Sequence, residues 1–412
     1  MSVSPSPRPP SWAIFCAAID NYGDIGVCWR LARQLTREHG IALHLWIDDG
    51  EALLRFLHLD ASASDQLQQH EGVWLHSWQP AQQAQETALL AHMAVVIEAF
   101  GCSLPLAVRQ CMAQAACPPL WLNLEYLSAE DWVRDCHLLS SPQSIALPDG
   151  QQRLLDKRFF FPGFLDGTGG LIREQAILAQ HAQWQSSLQR SRASLLLPHG
   201  LPPAWLDVVD CLWLSIFTYE GAALHSLLRA LEEGALPTVC LVPQGRSLLS
   251  VAAYFDVPVP PAAGAVLTRG ALRLVVLPFL SQADYDALLS VCDVNFVRGE
   301  DSFVRAQYAA RTMIWQLYPQ EDAAHLVKME AFLALYADSS EASKDLQAFW
   351  RGWNQGEDCR ELWHHLRPQL PTLQQQARRW QQKLADKPDL AAVLMHAYRE
   401  HIAQSSTDGA RF

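Results

Sequence analysis

The apolar positions of this chain follow two alternating rhythms. Residues 12–19, WAIFCAAI, form a short apolar run that stops at Asp20. Such a run, with a turn signal behind it, predicts a strand buried in a parallel sheet. Straight afterwards Ile25, Cys28, Leu31, Ala32 and Leu35 recur at helical spacing, and Gly40 is placed to cap that helix. Apolar runs at 41–48, 73–78, 93–100 and 118–126 read as further strands, with helical patterns between most of them. The alternation predicts a parallel sheet covered by helices.

The rhythm pauses at LDGTGGLIREQ, a turn region, and at the polar helical stretch AILAQHAQWQSSLQRSR. Runs at 193–198, 211–219, 237–243, 272–279, 294–299 and 313–319 then predict a second α/β domain, and the chain reads as helical from about residue 324. The expected division is a Rossmann-like domain over 1–180, a second over 181–375, and a helical segment over 376–412 that packs back on the first domain. Two open α/β domains imply a cleft between them. In such sheets ligands bind beyond the carboxyl ends of the strands, so the loops there are the places to look for chemistry.

Composition narrows the classes. A chain of 412 residues is too long for one ordinary core. Its formal net charge of -12 argues against nucleic acid and against anionic membranes as partners. The ten cysteines include no CxxC pair, and no His stands at zinc-finger spacing near Cys111 and Cys117, so reduced thiols and no metal site are expected. No stretch reaches membrane-spanning length, and the 12–19 run is too short for a signal peptide. A cytoplasmic location is the expectation.

Four loops carry candidate chemistry. In DNYGD, Asp20 ends the first strand, Asp24 opens the first helix, and Gly23 and Gly26 allow a tight turn and a close ligand. The competing explanation is helix capping by the two acids. In RGEDS, Arg298 and Gly299 lead from a strand into a helix that starts at Glu300, Asp301 and Ser302. Backbone N–H groups at such a terminus suit a phosphate, while the acids either cap the helix or accept from sugar hydroxyls. Phe217, Tyr219 and Phe279 stand at strand ends where a ring can stack on a base, with Gln282 able to read a base edge, or they are core aromatics. Glu125 and Tyr126 end a strand of the first domain, and FFFPGF (159–164) is either an exposed aromatic turn for a partner or a buried anchor.

Taken together, IDNYGDIGVCWRLARQL, NLEYLSAEDWV, FFFPGF, TGGLIRE, FTYE, PFLSQADYDALL, RGEDSFVRAQYA and YPQEDAAHLVKMEAFL resemble the EarP family of bacterial protein-arginine rhamnosyltransferases, in the same order from residue 12 to about 335. The resemblance implies a GT-B fold: two facing Rossmann-like domains with an interdomain cleft. It also implies inverting transfer of L-rhamnose from dTDP-β-L-rhamnose to an arginine of translation elongation factor P, with no cofactor and no metal. Carried over by position, Asp20 would be the main catalytic carboxylate and Asp24 its partner. Asn21, Tyr22, Gly23 and Glu125 would lie on the acceptor side. Phe279 would stack on thymine beside Gln282; Phe217 and Tyr219 would hold the nucleotide sugar; Glu300, Asp301 and Ser302 would line the diphosphate and sugar pocket with Arg298 near them. Tyr308, Arg311, Thr312 and Val327 depart from the family pattern at positions that read as support. Two rivals remain: a GT-B enzyme with a small-molecule or lipid acceptor, and a non-catalytic translation-factor binder that uses some of the 15 Trp as a contact surface.

Overall fold

The computed structural model describes residues 9–17, 22–59, 68–78, 89–320 and 322–409. The chain divides into two units, Met1–Gln175 with Lys387–Phe412, and Ala176–Asp386.

The first unit is built on an eight-stranded sheet. Its strands are β1 (Ser11–Cys16), β2 (Ala42–Ile47), β3 (Gln68–His70), β4 (Val73–Ser77), β5 (Met93–Ala99), β6 (Leu120–Leu124), β7 (Ser140–Ala146) and β8 (Gln152–Phe160), in the order β3-β4-β2-β1-β5-β6-β8-β7. The six inner strands run parallel; β3 and β7 pair antiparallel at the edges. β1 is buried almost completely because it lies mid-sheet with side chains in cores on both faces: Trp12, Ile14 and Cys16 on one, Ala13 and Phe15 on the other. The helix Gly23–His39 covers the first of these cores and ends, as expected, in a left-handed Gly40.

The helix Leu390–Gly409 belongs to this same layer. Leu390, Ala391, Leu394 and Met395 share a core with Trp12, Ile14 and Leu35, and Tyr398 meets the edge of Trp12 at 5.3 Å. The chain returns along the turn 168–174. Leu390 N–H donates to Leu171 O at 2.8 Å, Arg173 donates to Lys387 O at 2.9 Å, and Gln34 donates to Arg173 O at 2.9 Å. Gly170 sits at φ 71°, and a Cβ there would stand 2.6 Å from Pro388 O. The TGGLIRE motif therefore builds a seam. The preceding helix Leu370–Ala385 stays with the second unit, which puts the boundary at Asp386 and Lys387 and not at residues 375 and 376.

The second unit holds β9 (Leu212–Ile216), β10 (Thr238–Pro243), β11 (Val266–Arg269), β12 (Leu272–Leu277), β13 (Val294–Arg298) and β14 (Thr312–Gln316), in the order β11-β12-β10-β9-β13-β14. Only β11 is antiparallel. Tyr308, Arg311 and Thr312 are buried support, whereas Val327 is exposed.

One expectation needs correction. The run 193–198 is not a strand: residues Leu188–Leu196 form a helix and Leu197–His199 a 3-10 turn. Leu195 and Leu196 are apolar because they face the core of the second unit, and a short apolar run does not distinguish strand from buried helix. The hairpin β7–β8 went unread because its strands are largely polar and exposed at a sheet edge. FFFPGF is an anchor, with Phe160, Phe161 and Phe164 all buried, and Trp132 set edge-on to Phe161 at 5.3 Å.

Candidate active site

Each sheet reverses its strand order once. In the first unit β2 and β4 build out from one side of β1, and β5, β6 and β8 from the other. In the second, β10 and β12 lie on one side of β9, and β13 and β14 on the other. Beyond the carboxyl ends of strands at such a reversal, the two following loops part and leave a crevice. The described candidate residues fall around these two reversals.

In the first unit the ends of three strands are level: Cys16 of β1 pairs with Ala99 of β5, and Ala99 with Leu124 of β6. Asp20 and Asn21 lie outside the described residues. Tyr22 precedes the helix Gly23–His39, with its ring stacked on Phe56 at 5.9 Å. Gly23 opens that helix, and Asp24 follows in its first turn, 5% exposed, where exposed N–H groups favour a carboxylate. One turn on, burial pushes the Cys28 thiol well above its usual range, and Cys16 and Asp24 add to this.

Glu125 comes one residue past β6, half-buried. Its N–H donates to Phe160 O at 2.9 Å, and Asn123 donates its side-chain amide to Glu125 Oε1. Burial pushes the Glu125 carboxyl up, Lys157 opposes this, and Glu98 adds to it. Tyr126 stacks on Phe100 at 4.7 Å. Glu98, Asn123 and Lys157 are absent from the sequence reading. An acid inside the apolar run MAVVIEAF was the available signal for Glu98.

In the second unit Phe217 follows β9 and donates its N–H to Phe296 O of β13 at 3.0 Å. Tyr219 is buried, its N–H held by Gln316 Oε1 of β14 at 2.8 Å. Arg298 ends β13. Its guanidinium carbon lies 4.8 Å from the Phe217 ring centre and 4.6 Å from that of Tyr219. Its Nε is buried without a hydrogen-bond partner, and the residue forms no ion pair among the described residues. Arg246 differs: it is clamped to Glu220 by a 2.8 Å hydrogen bond through Nε, which draws the Glu220 carboxyl below its ordinary range.

Gly299 takes φ 67° and ψ -175°, a conformation that a side chain resists, and turns the strand into the helix Glu300–Tyr308. Glu300 accepts from Lys328 at 3.0 Å, and Asp301 accepts from Gln282 at 3.3 Å. Ser302 neighbours Tyr285, whose phenol is pushed up by burial and lowered in part by that hydroxyl. Gln282 opens the helix Gln282–Val291, and Phe279, half-buried, lies in the link from β12 to it. Arg305 locks this helix to Glu300–Tyr308 through two 2.9 Å hydrogen bonds to Asp286.

This second constellation can hold an anion. Helix N-terminal amides and the Arg298 guanidinium supply positive potential, acids beside them can accept from hydroxyls, and rings can stack on a base. In the first unit Asp24 is buried and Glu125 half-buried, and a carboxylate in either place suits a cationic group. Among the described residues no helix is long and apolar enough to cross a membrane, and no group of three or more His, Cys, Asp or Glu side chains is arranged to hold a metal ion.

Residues 12–399 match the model of the family described as Elongation-Factor P (EF-P) rhamnosyltransferase EarP. The protein-arginine rhamnosyltransferase of Pseudomonas putida is 47% identical over 398 residues, covering 95% of this chain and 99% of its own. That of Pseudomonas aeruginosa is 44% identical over 392 residues, with 95% and 99% covered. A solved structure reported as the structural basis for EarP-mediated arginine glycosylation of translation elongation factor EF-P superposes with a TM-score of 0.64 at 35% identity, covering 95% of this chain and 99% of that one. An α-glucosyltransferase bound to UDP and DNA shares the fold alone, with a TM-score of 0.50 at 7% identity and 96% and 100% covered. The two Rossmann-like units are those of a GT-B glycosyltransferase, and the chain belongs to the EarP family of EF-P rhamnosyltransferases.

Proposed function

We propose that this enzyme transfers L-rhamnose from dTDP-β-L-rhamnose to one arginine of EF-P in the cytoplasm, with inversion at the anomeric carbon. The observation that carries the donor half is Arg298, held against two rings beside a glycine-turned helix N-terminus, with its Nε buried and outside any hydrogen bond among the described residues. A diphosphate would complete it. Phe279 stacks on the thymine with Gln282 beside it, Phe217 and Tyr219 hold the nucleotide sugar, and Glu300, Asp301 and Ser302 receive the diphosphate and the sugar hydroxyls.

On the acceptor side a guanidinium has a pKa above about 12 and is a poor nucleophile while protonated. Asp20 and Asp24 orient it by charge-assisted hydrogen bonds and aim one nitrogen at the anomeric carbon, with Asn21, Tyr22, Gly23 and Glu125 around it. As the C–N bond forms and the C–O bond to the diphosphate breaks, that nitrogen becomes acidic, and Asp20 takes its proton. The negative charge of the leaving diphosphate is received by the helix amides, Ser302 and Arg298, so the reaction draws on protein groups in place of a metal.

The test is mass spectrometry of EF-P after incubation with the enzyme and dTDP-β-L-rhamnose. One deoxyhexose on one arginine supports the proposal. Unmodified EF-P with consumed donor would point to another acceptor.

A further inference from the structure

Beneath Glu125 the sheet carries charge where an apolar face is expected. Glu98 on β5 stands beside Asn123 on β6, and Trp121 on β6 beside Lys157 on β8. Glu98 is 5% exposed. Its Oε2 accepts from Trp121 Nε1 at 3.1 Å and lies 3.6 Å from the Lys157 ammonium, which sits 5.4 Å from the Trp121 ring centre. Asn123 turns its amide N–H to Glu125, while its own Oδ1 is buried without a partner.

A buried ion pair is a poor device for stability, since apolar residues of the same volume commonly do as well or better. This one lies on the strands beside Glu125, which the family resemblance puts on the acceptor side. The groups that act on Glu125 are Lys157 from β8, which favours its charge, and Glu98 from β5, which opposes it. Arg109, from the helix Leu106–Gln114, acts on Glu98 in turn.

We propose that Lys157 and Glu98 are positioning residues for the transfer reaction: together they set the charge of Glu125 and, through Asn123, its aim toward the cationic acceptor side chain. The proposal rests on the reading of Glu125 as an acceptor-side group. Among the described residues, Lys157 is the cation that opposes the upward push of burial on the half-buried Glu125 carboxyl. Glu98 holds that cation and also competes for it.

The two residues must therefore act in opposite directions, which simple structural damage would not produce. The acidic limb of kcat/KM for EF-P reports the protonation of groups that must be ionised in the free enzyme. Lys157→Met moves that limb to higher pH, Glu98→Gln moves it to lower pH, and Lys157→Arg restores the wild-type profile. The KM for donor stays unchanged in all three. A limb that stays fixed, or that moves the same way in both variants, overturns the proposal. A second measurement is independent of turnover: the Glu125 carboxyl carbon, identified by its loss in Glu125→Gln, is titrated by NMR in each variant. Titration that shifts as stated while EF-P gains no sugar keeps the charge-setting role and rejects the reaction reading. Titration that does not shift rejects the role itself.

Discussion

Arg298 lies 4.6 Å from the ring centre of Tyr219 and forms no ion pair among the described residues, although the chain carries an excess of acids. An arginine held by rings and outside any close ion pair among the described residues keeps charge for something else. Replacing it in Arg298→Met removes a charge-assisted contact worth about 1.5–3 kcal/mol, so the donor Kd should rise about tenfold or more. Calorimetry with dTDP-β-L-rhamnose checks this, and an unchanged Kd would remove Arg298 from the donor site.

Gly299 supports the same site through backbone shape. A Cβ at Gly299 would meet nothing within 4 Å, so the cost of Gly299→Ala is conformational and not steric. Its φ of 67° with ψ of -175° belongs to a region nearly restricted to glycine, and holding another residue there costs on the order of 1–3 kcal/mol. We expect a lower Tm together with weaker donor binding, since the helix amides after Gly299 change their aim. A variant with wild-type Tm would show that the turn relaxes freely.

The fold was legible where chemistry and pattern agree. The runs at 12–19 and 294–299 are apolar because β1 and β13 are paired on both sides within their sheets. The turn at Gly299 was legible because a glycine followed by two acids and a serine marks a helix start. The hairpin β7–β8 was not legible, because an exposed edge gives its residues no reason to alternate. Glu98 and Lys157 were not legible either: they lie 59 positions apart in the sequence, and only the pairing of β5, β6 and β8 brings them together. Asp24 and Glu125 could be named from the chain, but the level ends of β1 and β6, the strands that precede them, depend on the strand order.

A pH effect on stability follows from His137. Burial lowers its imidazole to about 4, and its Nδ1 accepts the Phe161 N–H at 3.1 Å. The unfolded chain, with the ordinary value of 6.5, binds this proton first, so acid favours unfolding. The contribution of His137 is complete above about pH 6.5 and is lost as pH falls toward about 4. Urea midpoints measured across that window should fall with pH in the wild type and fall less steeply in His137→Gln. Equal slopes would show that other groups dominate acid sensitivity.

The central claim is a division of labour: carboxylates at the strand reversal of the first unit serve the acceptor, and the reversal of the second unit serves the donor. It is tested most directly by measuring donor binding and EF-P modification side by side in Asp20→Asn and Asp24→Asn. The account predicts wild-type affinity for dTDP-β-L-rhamnose in both variants, with rhamnosylation of EF-P lost in Asp20→Asn and severely reduced in Asp24→Asn. Undiminished rhamnosylation by either variant, or donor binding lost along with it, would contradict the account.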